Sequence, residues 1–290
     1  MKKHAIFLVI AALVVAACGS GGSGGVAATV NGEDITVEEV EALITGDGAE
    51  IPKADFAGAL GFLVQQRIVS DAAEAELGIV IPEDEITAEA TALFEESANG
   101  QTREEFLDEQ GITEELLQQF AHSQLLVAEI GESLQADVEQ PTQEEINALY
   151  CSSHILVATE QEANDVLSRI EAGEDFATLA SELSTDTNSG AQGGDLGCSA
   201  ADVYDPAFAE ALSTAEVDVP TDPVESEFGF HVILLRDDEE EAIETLTATA
   251  ANEAANTWFT EQFEAAEVTV DETYGTWQAS PQPQVVPPAE

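Results

Sequence analysis

Positive charge is nearly missing from these 290 residues. Seven Lys and Arg stand against 59 Asp and Glu, a formal net charge of -52. Nucleic-acid binding, which needs clustered cations to neutralise phosphates, is excluded by that imbalance, and so is a basic membrane-binding patch. Aromatic residues make up only 6%, and there are three Cys and one Met. Long apolar runs are also lacking: the longest, Ala5–Ala17, has 13 residues, short of the roughly 20 that a bilayer-spanning helix needs. What is present is 44% apolar residues, enough to bury a sizeable core and too many for a disordered acidic tail. The length allows one large domain or two to three small ones. Acid spread evenly along the chain speaks to solubility and salt tolerance.

The N-terminus has a purpose of its own. Lys2 and Lys3 precede the short apolar run, and small residues follow it, the layout of an export signal. Val15-Ala16-Ala17-Cys18 resembles the lipobox of bacterial lipoproteins. The resemblance implies removal of residues 1–17 and a diacylglyceryl group on Cys18; an ordinary signal peptide with a chance Cys is the alternative. Residues 19–25 contain only Gly and Ser, a flexible tether. The mature body would carry a charge of about -54 and be repelled by an anionic membrane surface, so the lipid would have to hold it there.

Past the tether, Asn31-Gly32 between short apolar runs predicts a hairpin. Thr36/Glu39, Thr102/Glu105, Thr142/Glu145 and Thr159/Glu162 have the spacing of capping boxes, and Gly78, Gly111 and Gly173 sit where helices should end. Helical apolar spacing is expected over 55–77, after Pro82, and over 113–137. Residues 26–149 therefore read as a helical unit, its aliphatic stripes forming a core or, alternatively, an open groove for unfolded chains. Residues 150–236 change character. A strand at Ser153–Val157 leads into helix 160–171, then a helix capped by Asp175, a polar loop over 184–194, and a strong strand at Phe228–Leu235. An acidic run and a helix of about 242–266 complete a segment 237–270. Residues 271–290 are Pro-rich and are expected to lack fixed structure.

His154 and His231 each lie inside an apolar strand of the α+β segment. The order Ser153-His-Ile-Leu-Val157, Phe176 to Ala180, Ser184-Thr-Asp186, Gly193-Gly-Asp-Leu-Gly197, Pro206 to Phe208, and Phe228-Gly-Phe-His-Val-Ile233 resembles the parvulin-type peptidyl-prolyl isomerases over essentially all of 150–236. The resemblance implies an α+β fold, a four-stranded antiparallel sheet wrapped by helices. It also implies isomerisation of X-Pro bonds without cofactor or metal. His154 and His231 would form a hydrogen-bonded pair at the floor of the site, with Asp186 beside them as the third catalytic residue. Leu196, Tyr204, Phe208, Ser226 and Phe230 would line the substrate side. The bland alternatives are a His pair that merely satisfies buried polar atoms and an Asp186 that merely caps a loop.

Departures from the family pattern stand out. Cys198-Ser199 occupies the place after Gly-Gly-Asp-Leu-Gly where an aromatic residue is frequent. The segment between Phe208 and Glu216 is short. The loop after Val157 carries no Lys or Arg, so phosphate-directed specificity is not implied. Cys151 and Cys198, the mature thiols besides Cys18, read as a disulfide outside the cytoplasm; a Cys/His zinc site using His154 and His231 is the alternative.

The whole chain, with its strand-turn start, helical unit, parvulin module and C-terminal helix, resembles extracytoplasmic foldases of the PrsA and SurA type. That resemblance implies a parvulin module inserted in an all-helical chaperone domain, with 237–270 packing on the N-terminal unit and Val268–Val270 pairing near Val26–Val30. The partners implied are unfolded, newly exported polypeptides containing X-Pro bonds, and the membrane through the lipid; the place implied is the outer face of the cytoplasmic membrane. A holdase or assembly chaperone with a weak or inactive module is the competing function.

Overall fold

The local signals determine most of the elements. The computed structural model describes residues 25–44, 51–98 and 100–288; the expected export signal and Cys18 lie outside them. In chain order the elements are β1 (Val26–Val30), β2 (Glu33–Thr36), α1 (Val37–Ala42), α2 (Lys53–Ala72) running into a π-helical turn, α3 (Glu83–Ser97), α4 (Arg103–Gln110), α5 (Glu114–Ala136), α6 (Gln143–Ile146), β3 (Leu149–Val157), α7 (Glu160–Glu171), α8 (Phe176–Leu183), α9 (Thr187–Gly190), β4 (Asp195–Ala200), α10 (Pro206–Thr214), β5 (Val224–Ser226), β6 (Gly229–Arg236), α11 (Glu239–Ala265), β7 (Val268–Val270), β8 (Thr276–Gln278) and β9 (Gln284–Val286). All four capping boxes form: each Thr hydroxyl accepts from the backbone N–H three residues on, and each Glu accepts from the Thr backbone N–H. That satisfies two of the donors each helix start leaves open. Among the described residues, no helix is long and apolar enough to cross a membrane.

The chain divides into two compact units. The first comprises residues up to Arg67, Ala98–Leu117 and Ala266 onward. Its sheet has the order β2-β1-β7. The β1–β2 hairpin turns at Asn31-Gly32, where both residues have positive φ, 49° and 90°, a geometry that Asn-Gly tolerates best. β7 lies antiparallel to β1, with Ala28 opposite Val270 and Val30 opposite Val268.

The tail departs from expectation. Residues 276–286 form a hairpin, β8–β9, with Val285 buried. Its backbone lies so close to α2 that a β-carbon on Gly61 would come within 3.0 Å of the Val285 nitrogen. Tyr274, just before the hairpin, stacks on Phe56 at 4.4 Å. A Pro-rich composition argues against regular structure, but two apolar strand residues and an aromatic anchor outweigh it once a helix is there to receive them.

The second unit comprises Ile68–Ser97 and Gln118–Ala265. Val69, Ala73, Leu126 and Ile130 pack around Trp258 of α11, whose indole N–H donates to Glu76 at 2.8 Å. The rest is a four-stranded antiparallel sheet of order β4-β3-β6-β5. Strand alternation gives it two faces. Ile155, Val157 and Val232 point to α7 and α8, meeting Ala163, Val166, Leu179 and Ala180. Ile233 points the other way, to Phe208 and Leu212 of α10.

Candidate active site

His154 lies on β3 opposite Ile233, and His231 lies on β6 opposite Leu156. The two histidines are therefore diagonal neighbours on one sheet face. Their rings lie 5.3 Å apart, 21° from parallel, and their Nδ1 atoms meet at 3.0 Å. Both residues are 5% exposed.

The loop expected over 184–194 contains one helical turn, α9, and Asp186 caps it. Asp186 Oδ1 accepts from the backbone N–H groups of Asn188 and Ser189, while Oδ2 takes the Ser189 hydroxyl at 2.7 Å and lies 3.0 Å from His154 Nε2. The loop is stitched to β3 by Thr185 N–H on the Leu156 carbonyl and by His154 N–H on the Gly194 carbonyl, at 2.7 and 2.8 Å. Gly194 has φ of +84°, and a β-carbon there would collide with the His154 carbonyl oxygen; only glycine lets the backbone approach so closely.

On the other side Ser226 Oγ lies 2.7 Å from His231 Nε2 and accepts from Phe228 N–H. Phe208 stands edge-on to both histidines, at 5.9 and 5.3 Å. Tyr204 stacks on Phe208 at 4.8 Å, and Leu196 belongs to the same apolar cluster.

Electrostatics assigns the protons. Asp186 is held down at about 2, above all by the Ser189 hydroxyl, with His154 and the two backbone N–H groups adding to it against the effect of burial. His231 is pushed down to about 4 by burial and then by His154. Burial also lowers His154, against the pull of Asp186. Near pH 7 both rings are thus neutral and Asp186 is ionised. An ionised carboxylate only accepts, so His154 Nε2 carries the proton facing it. His154 Nδ1 is then an acceptor and takes the Nδ1–H of His231. His231 Nε2 accepts the Ser226 hydroxyl. One proton order satisfies every contact from Asp186 to Ser226.

The structure thus brings together seven of the eight residues expected at the site: His154, Asp186, His231, Leu196, Tyr204, Phe208 and Ser226. Phe230 is a correction. It is next to His231 in a strand, so it points to the opposite face, and it packs against the cluster of Ile155, Val157 and Val166. Ser189 was missed. It is buried, within 3.0 Å of His154 Nε2, and its Asp-x-x-Ser spacing after an N-cap was the available signal. Cys151 and Cys198 face one another across β3 and β4 and are joined by a disulfide, with sulfurs 1.96 Å apart. The Cys/His zinc alternative therefore has no thiolates to use, and its two histidines are already bonded to each other.

Residues 151–237 match the family model described as Rotamase: PPIC-type PPIASE domain. A foldase protein PrsA of Halalkalibacterium halodurans is 35% identical over 243 residues, spanning 75% of this chain and 72% of that protein. A foldase protein PrsA of Oceanobacillus iheyensis is 36% identical over 155 residues, 49% of this chain and 52% of that protein. Among solved structures, PrsA from Bacillus subtilis aligns over 84% of this chain and 93% of that chain, with 22% identity and a TM-score of 0.39.

Proposed function

The chain belongs to the foldase protein PrsA family and carries a peptidyl-prolyl cis-trans isomerase domain, and on that premise we propose that X-Pro bonds rotate against the sheet face holding His154, Asp186 and His231. The observation that carries this reading is the unbroken hydrogen-bond line from Asp186 through both histidines to Ser226, set beneath the aromatic wall of Phe208 and Tyr204.

Rotation about an X-Pro bond meets a barrier of ~20 kcal/mol and takes tens of seconds or longer unaided. No bond has to break. The site must favour the twisted amide over the planar one. Phe208, Tyr204 and Leu196 grip the proline ring and fix one side of the bond. Asp186, 29% exposed at its side chain, is the charged member of the line that reaches solvent. A planar amide places partial negative charge on its carbonyl oxygen, and a nearby carboxylate repels that charge. Twisting withdraws it, so the repulsion falls on the way to the transition state. The histidine pair holds the carboxylate in place with its own protons already committed, so nothing has to reorganise during the turn.

The wider reading is a foldase tethered by a lipid on Cys18 to the outer face of a cytoplasmic membrane, where helical residues outside the isomerase module receive unfolded exported chains. Mass spectrometry of the mature N-terminus tests the tether; an unmodified Cys18 would remove it. A second reading, a holdase with a slow module, is favoured by one observation. The position after Gly197 is Cys198, committed to the disulfide, so no aromatic side chain is offered there. Exchange NMR on X-Pro tetrapeptides separates the two, using the chain from Gly19 onward beside Asp186→Ala and His231→Ala. Catalysis that falls in both variants supports the isomerase site. A folded chain that suppresses aggregation but rotates no X-Pro bond makes the module a binding platform.

A further inference from the structure

Within 150–236 there are 17 Asp and Glu against two Arg, and both cations are committed away from the histidine pair. Arg169 pairs with Glu174 and Glu182 at the α7–α8 corner, at 2.6 and 3.1 Å. Arg236 pairs with Asp195 and Glu241, at 2.7 and 2.9 Å, and with Asp238 at 3.5 Å. The carboxylates at the site have no such neutralisation. Asp186 is bonded to neutral partners. Asp205 sits between Tyr204, which stacks on Phe208, and the helix that carries Phe208. One of its oxygens caps α10 by accepting Ala207 N–H at 2.9 Å, and among the described residues it has no cationic partner.

Resting on the isomerase reading, we propose that this site selects prolines preceded by Lys or Arg and rejects those preceded by Asp or Glu, with Asp205 as the specificity-determining residue. The physical reason is local. The cap uses only one carboxylate oxygen, so the other oxygen of Asp205 is left without a cap partner beside the apolar wall that would hold the proline ring. This carboxylate, together with Asp186, meets a flanking cation attractively and a flanking anion repulsively. Discrimination by charge uses both signs. Asp186 touches the histidine pair directly, 3.0 Å from His154 Nε2, and Asp205 adjoins it through Tyr204, which stacks on the Phe208 ring that stands edge-on to both histidines.

The test is kcat/KM for tetrapeptides with Lys, Ala or Glu before proline, by exchange NMR, on the chain from Gly19 onward. It is run at every NaCl concentration at which circular dichroism shows the folded chain. The expected result is a Lys-over-Glu preference of about tenfold or more at the lowest such salt, shrinking severalfold toward 1 M, where the screening length falls to ~3 Å. Asp205→Asn keeps a capping side chain and removes the charge, and it should cut the Lys/Glu ratio by about threefold or more. Glu171→Gln, an equal charge change at the far end of α7, should leave the ratio within about 1.5-fold. Equal turnover of Lys and Glu peptides overturns the inference while leaving the isomerase in place. A preference that salt weakens but Asp205→Asn does not change overturns the assignment to Asp205. No turnover of even the Ala peptide by the folded chain overturns the isomerase reading itself.

Discussion

His154 and His231, 77 residues apart in sequence, meet nitrogen to nitrogen at 3.0 Å. With both rings neutral and Asp186 ionised, that contact runs in one direction, from His231 to His154. Asp186→Asn should break the order without removing the α9 cap, because an amide can present its N–H₂ to His154 and turn the ring's tautomer around. We expect kcat/KM for Ala-Pro peptides to fall roughly tenfold to a hundredfold, somewhat less than the ~10²–10³ lost when an oxyanion-hole donor is removed. Unchanged turnover in a folded variant would reduce Asp186 to a loop cap.

The same burial makes a pH prediction. His231 titrates at about 4 in the folded chain against an ordinary 6.5. Between those values the unfolded chain binds a proton that the folded chain refuses. Stability from this group is therefore present above about 6.5 and is lost as pH falls toward about 4, on the order of 3 kcal/mol in all. Asp186, held near 2, stays ionised through that window. An NMR titration of the imidazole should place the His231 midpoint below 5. A midpoint near 6.5 would show that the ring is not shielded as described.

The Cys151–Cys198 bond closes a separation of 47 residues, spanning β3 to β4 around the whole α7–α9 segment. In the chain-entropy model such a loop stabilises by about 4 kcal/mol. Cys151→Ser with Cys198→Ser should shift the urea midpoint downward by a corresponding amount, and reduction of the wild type should do the same. A midpoint that moves with neither treatment would count against the bond.

Gly194→Ala should be among the most damaging single-methyl changes in the module. It puts a side chain at positive φ, costing about 1–2 kcal/mol by itself, and drives it into the His154 carbonyl. Loss of isomerase activity together with a lowered denaturation midpoint is expected. A variant with wild-type values would mean that this backbone contact is not maintained in solution.

A chain of net charge -52 repels itself, and among the described residues each Arg is paired: Arg67 with Glu33, Arg103 with Glu114, Arg169 and Arg236 with several carboxylates each. Screening the surplus should stabilise more than screening a handful of exposed pairs destabilises. The melting temperature should rise between 0.1 and 2 M NaCl. A flat or falling curve would show that the acid is not a salt adaptation.

The features legible in the sequence are those made by neighbours along the chain. A Thr and a Glu three residues apart make a capping box wherever they fall, and Asn-Gly makes its turn, because those interactions close within one helical turn or one hairpin. The order of motifs from Ser153 to Ile233 likewise marks out the isomerase module. Strand alternation is also legible: a residue adjacent to His231 cannot share its face, so Phe230 points to the α7 side of the sheet.

Other features rest on atoms far apart in sequence. The face-to-face register of Cys151 and Cys198, the seating of Val285 beside Gly61, the third contact that Ser189 makes at His154, and the direction of the protons from Asp186 to Ser226 exist only once strands are paired and helices packed. Sequence by itself determined which residues could titrate, cap, turn or fill a core, since those properties belong to side chains and their immediate neighbours. Tertiary structure alone decided which were buried against which, and with that the charge states: burial favours two neutral histidines and hydrogen bonds hold the aspartate beside them ionised, which turned a list of polar residues into one connected site.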